Sequence, residues 1–223
     1  MLENSVRPDI DLAASPLTLS GGWSLIAAGI TGAMSALFLA VVPPAVAETQ
    51  FSYPLDLPAY AAVQSFFFVH HLTLAFGVFA VWRSGLAGVG RLAAVGGVAS
   101  TIALLLLAIQ ELVVIGAGSA AYPSPEADTV GATYGVLSLL CGATLVVFGI
   151  AAIRARRWTG WRRAIILILG VYVFVPLTPA IMGPFVLARL TIGIWTLLFA
   201  ALGWALLHPA PRAAAEPPPG VQP

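Results

Sequence analysis

The sequence predicts an all-α polytopic membrane bundle of six transmembrane helices, with the N-terminus and C-terminus both cytoplasmic. Three observations predict it. Hydrophobic residues make up 60% of the 223 residues and charged residues 9%, against about 25% charged in an ordinary soluble domain. With a mean hydropathy of +0.97, the chain has too little charge to cover a surface in water, and the bilayer is the expected solvent. The apolar residues also come in six long runs, and the arginines collect on one side of those runs. Six spans of about 20 residues each leave only loops and tails, so no separate soluble domain fits.

Residues 1–22 carry Glu3, Asp9 and Asp11 against Arg7, with two prolines. A secretory signal wants a positive start followed directly by an apolar core, so this stretch reads as a cytoplasmic tail. The transmembrane domain then covers 23–207. The first span, 23–42, stops at Pro43-Pro44. The connection that follows, 43–62, holds Glu48, Asp56, Phe51, Tyr53 and Tyr60. It is either an ordinary Pro-rich link or a lid folded over that end of the bundle. Spans two, three and four run over 63–82, 92–116 and 130–153. The fifth, 164–181, is crowded by Pro176, Pro179 and Pro184, which kink or break a spanning helix unless neighbours satisfy the freed carbonyls. The sixth, 185–207, ends before His208-Pro209, and residues 208–223, with three consecutive prolines, read as a disordered cytoplasmic tail.

Orientation follows the arginines. With the N-terminus inside, every arginine except Arg189 lies on the cytoplasmic side, and the opposite topology inverts that bias. Tryptophans agree: Trp23, Trp82, Trp158, Trp161 and Trp204 all fall at the expected cytoplasmic interface. Arg154, Arg156, Arg157, Arg162 and Arg163 form the densest cluster, a lipid-headgroup anchor attracted to anionic lipid by about 1 kcal/mol per arginine. All ten basic residues are arginine. With the Ala, Gly and Val enrichment this suggests a GC-rich bacterial genome and hence the bacterial cytoplasmic membrane. A net charge of +1 gives no reason to expect nucleic acid. The expected partner is the lipid bilayer, with a protein partner or a homo-oligomer left open.

Ionisable groups inside spans are costly and invite a functional explanation. Glu111 lies about five residues, roughly 7 Å at 1.5 Å per residue, from the outer end of its span, and Arg189 lies at similar depth. His70 and His71 sit deeper, with Gln64 and Gln110 nearer the surface. These six form a candidate polar cluster in the outer half of the membrane. Glu111 and Arg189 either pair, which relieves both charges, or snorkel separately to the surface. His70 and His71 differ by about 100° around a helix, so they cannot share one face. A histidine in a span is more often a hydrogen-bonded contact between helices than a ligand.

No metal or cofactor is expected. Adjacent histidines are not a strong ligand spacing, His208 lies at the opposite end, and the single Cys141 reads as a small buried hydrophobe. No nucleophile motif, HExxH, Walker loop or GxGxxG is present, so no catalytic residue is assigned. Small-residue pairs at Gly131/Gly135 and Gly29/Ala33 suit close helix contacts, within the chain or in a dimer. Three functional classes remain. The cluster handles a small solute or proton, as in a transporter; or the chain is a non-catalytic structural or accessory subunit whose polar groups pin helices together; or it is a membrane-embedded metal or redox enzyme using a histidine.

Overall fold

The structure, a computed structural model, describes residues 15–208. Most of the two terminal tails expected from the sequence, with Arg7 and Arg212, lies outside the described residues. What is described is all-helical, without a strand. Five helices are long and apolar enough to cross a membrane: α1 (Pro16–Val41), α2 (Leu57–Arg83), α3 (Arg91–Gly116), α4 (Pro125–Ala155) and α7 (Phe185–Leu207). A shorter apolar segment, Ile165–Ile181, is built from α5 (Ile165–Tyr172), one π-helical turn (Val173–Leu177) and α6 (Thr178–Ile181). Large apolar side chains stand exposed along every long helix, for example Met34, Val69, Val95, Val136 and Ile194. A water-soluble surface rarely tolerates that much contiguous apolar area. The chain is a multi-pass membrane protein.

Local chemistry accounts for the boundaries. Ser15 caps α1 by accepting from the Thr18 N–H at 3.2 Å, with Pro16 in the first turn. The helix therefore begins seven residues before the apolar run that marks it in the sequence. Asp56 caps α2 through the Ala59 N–H at 2.9 Å, and Ser124 caps α4 through the Ala127 N–H at 3.2 Å. Glu126 and Asp128 lie in the first turn of α4 and Arg154 in its last, the arrangement the helix dipole favours. Asp56→Ala is expected to cost about 1 kcal/mol, the usual value of a lost cap. Thermal unfolding in detergent measures it.

The prolines foreseen as a disturbance act at the π turn. Pro176 has no N–H for the Tyr172 carbonyl, and the ladder widens to the next register. The Thr178 N–H and hydroxyl then both reach the Val173 carbonyl, the hydroxyl at 2.7 Å. The Val173 carbonyl thus keeps its partners through the π turn.

The helices follow one another around a ring: α1 against α2, α2 against α3, α3 against α4, and α4 against α5, with α7 returning to α1. The α1–α7 seam is the most extensive. Gly29, Gly22 and Gly203 let the two backbones meet there. By contrast α4 packs along α3 and α5, and no comparable packing joins it to α6 or α7. The main core, with Leu25, Leu104, Phe148, Ile166, Phe199 and Leu202, fills the middle and one end of the ring.

That end carries the arginines. Arg157 donates from Nη1 to the Gly85 carbonyl at 3.0 Å, tying the α2–α3 loop to the α4–α5 loop. Arg154, Arg156 and Arg163 are exposed, and Arg162 lies over the Trp161 ring at 5.7 Å. Trp23 (64% exposed), Trp161 and Trp204 face outward, as interfacial tryptophans do. Trp158 does not. It is 1% exposed and belongs to the core, because the sharp turn with Arg156 at φ 52° folds it under the bundle.

Candidate functional site: a polar-floored cavity

The opposite end is built from loops. The α1–α2 connection lies against the α3–α4 connection through backbone bonds from Phe51 N–H to the Ala120 carbonyl (2.8 Å) and from Tyr122 N–H to the Thr49 carbonyl (2.8 Å). Phe51 stacks on Tyr122 at 5.7 Å and meets the Tyr60 edge at 6.5 Å. Tyr53 meets Phe185, at the start of α7, at 4.9 Å. This connection is thus a cap pinned to α2, α7 and the neighbouring loop. Burial, and then the Asp128 carboxylate, push the Tyr122 phenol above its ordinary value, so it stays neutral at physiological pH. Phe51→Ala removes two ring contacts worth about 0.5–1.5 kcal/mol each. It is expected to loosen the cap, read as faster proteolysis of the 43–56 loop with the helices intact.

Beneath the cap lies a cavity of about 960 Å³, at the upper end of the range for small-molecule sites. Glu48 and Asp128 stand at its rim, and Phe51, Tyr60, Leu177 and Ile192 are among its walls. A smaller chamber of about 90 Å³ continues inward past His70, His71 and Trp195. Phe67, Glu111, Tyr134, Ser138 and Arg189 line both spaces, so the polar groups sit where the two meet.

The geometry there centres on Glu111, 1% exposed. Its Oε1 accepts a hydrogen bond from the Tyr134 hydroxyl and lies 3.2 Å from His71 Nδ1. The same Nδ1 is 3.0 Å from the Phe67 carbonyl. A ring nitrogen facing a carbonyl and a carboxylate oxygen must carry a proton to bond either, which leaves Nε2 as the nitrogen free to exchange one. His70 turns the other way, as the 100° offset requires. Its Nε2 is 2.9 Å from the Ala28 carbonyl of α1, and its Nδ1 is buried without a partner. The two imidazoles meet edge to face at 5.5 Å.

Of the two arrangements open to Glu111 and Arg189, the ion pair is not formed; among the described residues Glu111 is paired with His71. Arg189 instead lays its guanidinium 4.7 Å over the Phe185 ring, and its Nε is buried without a partner. Both charges nonetheless line the same cavity. Gln64 also lines it, donating to the Tyr60 hydroxyl at 3.1 Å. Gln110 stands apart: it reaches the Val130 carbonyl at 3.4 Å and pins α3 to α4 away from the cavity. Gly131 and Gly135 do not bring helices together. Both line the cavity, and nothing approaches the space a Gly135 side chain would occupy. Gly29 does serve helix contact, against α7.

Tyr134 was not among the residues expected in the cluster. The sequence places it near the end of the fourth span because that apolar run looks as though it begins at Val130. The helix begins at Pro125, which sinks Tyr134 to the level of Glu111. The Ser-Pro-Glu start at Ser124 was the available signal. Among the described residues no three His, Cys, Asp or Glu side chains gather as a metal-ligand set. No protein-family model, curated protein or solved structure matches this chain.

Proposed function

We propose that this chain handles a proton or a small solute through the Glu111 cluster at the floor of the cavity. In this reading it crosses the bacterial cytoplasmic membrane six times, Ile165–Ile181 being the fifth and shortest span. Both termini and the arginine-rich loops are cytoplasmic, held against anionic headgroups by Arg154, Arg156, Arg157, Arg162 and Arg163, and the capped cavity faces outward. The arginine bias and the outward-facing tryptophans at that end support the orientation.

One observation carries the functional reading. A buried carboxylate hydrogen-bonded to a phenol and an imidazole lies where the wide cavity narrows into the chamber beneath it. Tyr134, Glu111 and His71 are all groups that can pass a proton. An intramembrane ionisable residue facing a cavity rather than lipid is the usual mark of a proton or ion path. The test is flux. Purified protein in liposomes loaded with a pH-sensitive dye should dissipate an imposed pH gradient, and Glu111→Gln should not.

The accessory-subunit reading has its own support. The same bonds link α4 to α3 to α2, and His70 links α2 to α1, so they also pin the bundle. Under that reading Glu111→Gln lowers stability and wild-type liposomes show no flux.

A further inference from the structure

Resting on the cavity reading above, we infer that the cavity takes a single-chain amphiphile with an acidic head, entering sideways from the bilayer. Its carboxylate or phosphate meets Arg189 and its chain lies along the apolar wall.

Three features carry this. The first is a side opening. Cavity-lining residues on α4 and at the end of α6 are also surface residues: Leu139, Ile181 and Met182, the last 85% exposed. The two elements that carry them do not pack against each other as neighbouring helices elsewhere in the ring do. Gly135 keeps the α4 side of this opening free of a side chain. It follows Tyr134 and so lies at the level of Glu111, about five residues or 7 Å inside the expected span at 1.5 Å per residue, a depth at which the opening would face lipid. The second feature is that the aqueous end is roofed by the pinned cap, and the way in from water passes a rim that presents Glu48 and Asp128. A soluble anion approaching from that side meets two carboxylates first. The third is Arg189. Its Nε is a buried donor with no acceptor, and Phe185 holds the guanidinium by its face, leaving the planar edge to bond an acid group. The walls beyond it, including Val173, Leu177 and Ile192, are aliphatic.

The experiment measures equilibrium binding of labelled palmitate and of 1-palmitoyl-lysophosphatidate to the full chain in phosphatidylcholine nanodiscs, with empty nanodiscs subtracted. Hexadecanol and butyrate serve as competitors. The expected result is one saturable site for at least one of the two acids, poorly displaced by either competitor. Arg189→Gln should weaken it about tenfold or more, the scale of one lost charge-assisted contact, and Arg189→Lys, which keeps the charge but loses the planar edge, should weaken it less than Arg189→Gln does in equally stable protein. Leu139→Trp should slow association while leaving thermal stability unchanged. Equal displacement by hexadecanol would show that no acid head is recognised and overturn the inference. Equal displacement by butyrate would make the ligand a water-soluble acid and overturn it as well. Unchanged association in Leu139→Trp removes the sideways route. If neither acid binds saturably while Glu111→Gln still abolishes proton flux, this inference falls and the proton reading stands.

Discussion

Glu111→Gln is expected to lower proton flux through the reconstituted protein by about 100-fold, the lower end of what a positioned proton-transfer group contributes, while the fold survives. Glutamine has the same shape and keeps an oxygen to accept from the Tyr134 hydroxyl and the His71 N–H, the two donors at Oε1. It cannot take up or release a proton. Glu111→Leu separates chemistry from structure. It leaves the Tyr134 hydroxyl buried without an acceptor, at about 1–3 kcal/mol, and His71 Nδ1 with the Phe67 carbonyl alone, and should lower the unfolding temperature as well as the flux. Dye-loaded liposomes read the first effect and thermal unfolding in detergent the second. A Gln variant as destabilised as the Leu variant, beside wild-type protein that carries no flux, would favour the accessory-subunit reading.

The largest stability effect is expected at the α1–α7 seam. A side chain at Gly29 would place its Cβ 2.6 Å from the Ala200 nitrogen and 2.7 Å from the Thr196 carbonyl oxygen. Backbone atoms of a neighbouring helix cannot swing aside, so α1 must move outward along its most extensive contact. In lipid the apolar surfaces gain little by leaving the solvent, and close packing is what holds helices together. Gly29→Leu should therefore cost about 3 kcal/mol, the top of the usual range for overpacking, or prevent assembly altogether. Gly135→Ala is the control. Nothing lies within reach of that position, and alanine is the better helix former, so stability should hold within about 0.5 kcal/mol. Unfolding in detergent, followed by circular dichroism, distinguishes the two.

What the sequence made legible depended on punctuation. The long apolar runs ending at Pro43-Pro44, Trp82-Arg83 and Gly116 coincide closely with helix ends, because proline, glycine and arginine stop or anchor a helix in lipid for local reasons. The start of α1 was hidden by the polar look of Thr18 and Ser20, although Ser15-Pro16 is a strong start signal. That Glu111 and Arg189 lie close along the bundle was legible, since both line one cavity; partnership was not. Which acceptor a buried charge finds depends on how each helix is rotated about its axis, and the apolar faces of a membrane helix give little periodicity to set that rotation. So Glu111 meets His71 and Tyr134 rather than Arg189, Gln110 turns away to α4, and Gly131 and Gly135 open a space where they were expected to close a contact. The cap was legible only as one of two alternatives for residues 43–62, because the choice between them depends on contacts between two loops far apart in the chain.

The most direct test asks whether solvent from the capped end reaches the polar floor. Ser138 lines both the wide cavity and the inner chamber, whereas Cys141, one turn away, is fully buried. Ser138→Cys in a Cys141→Ala background, in sealed vesicles of known orientation, is treated with a small membrane-impermeant thiol reagent. Ser138→Cys is expected to react from the capped side at least about tenfold faster than Cys141 does in the wild-type chain, as accessibility of the thiol dictates. Phe51→Ala should speed the reaction further. Labelling no faster than that of Cys141, or labelling only from the arginine-rich side, would contradict access from the capped end.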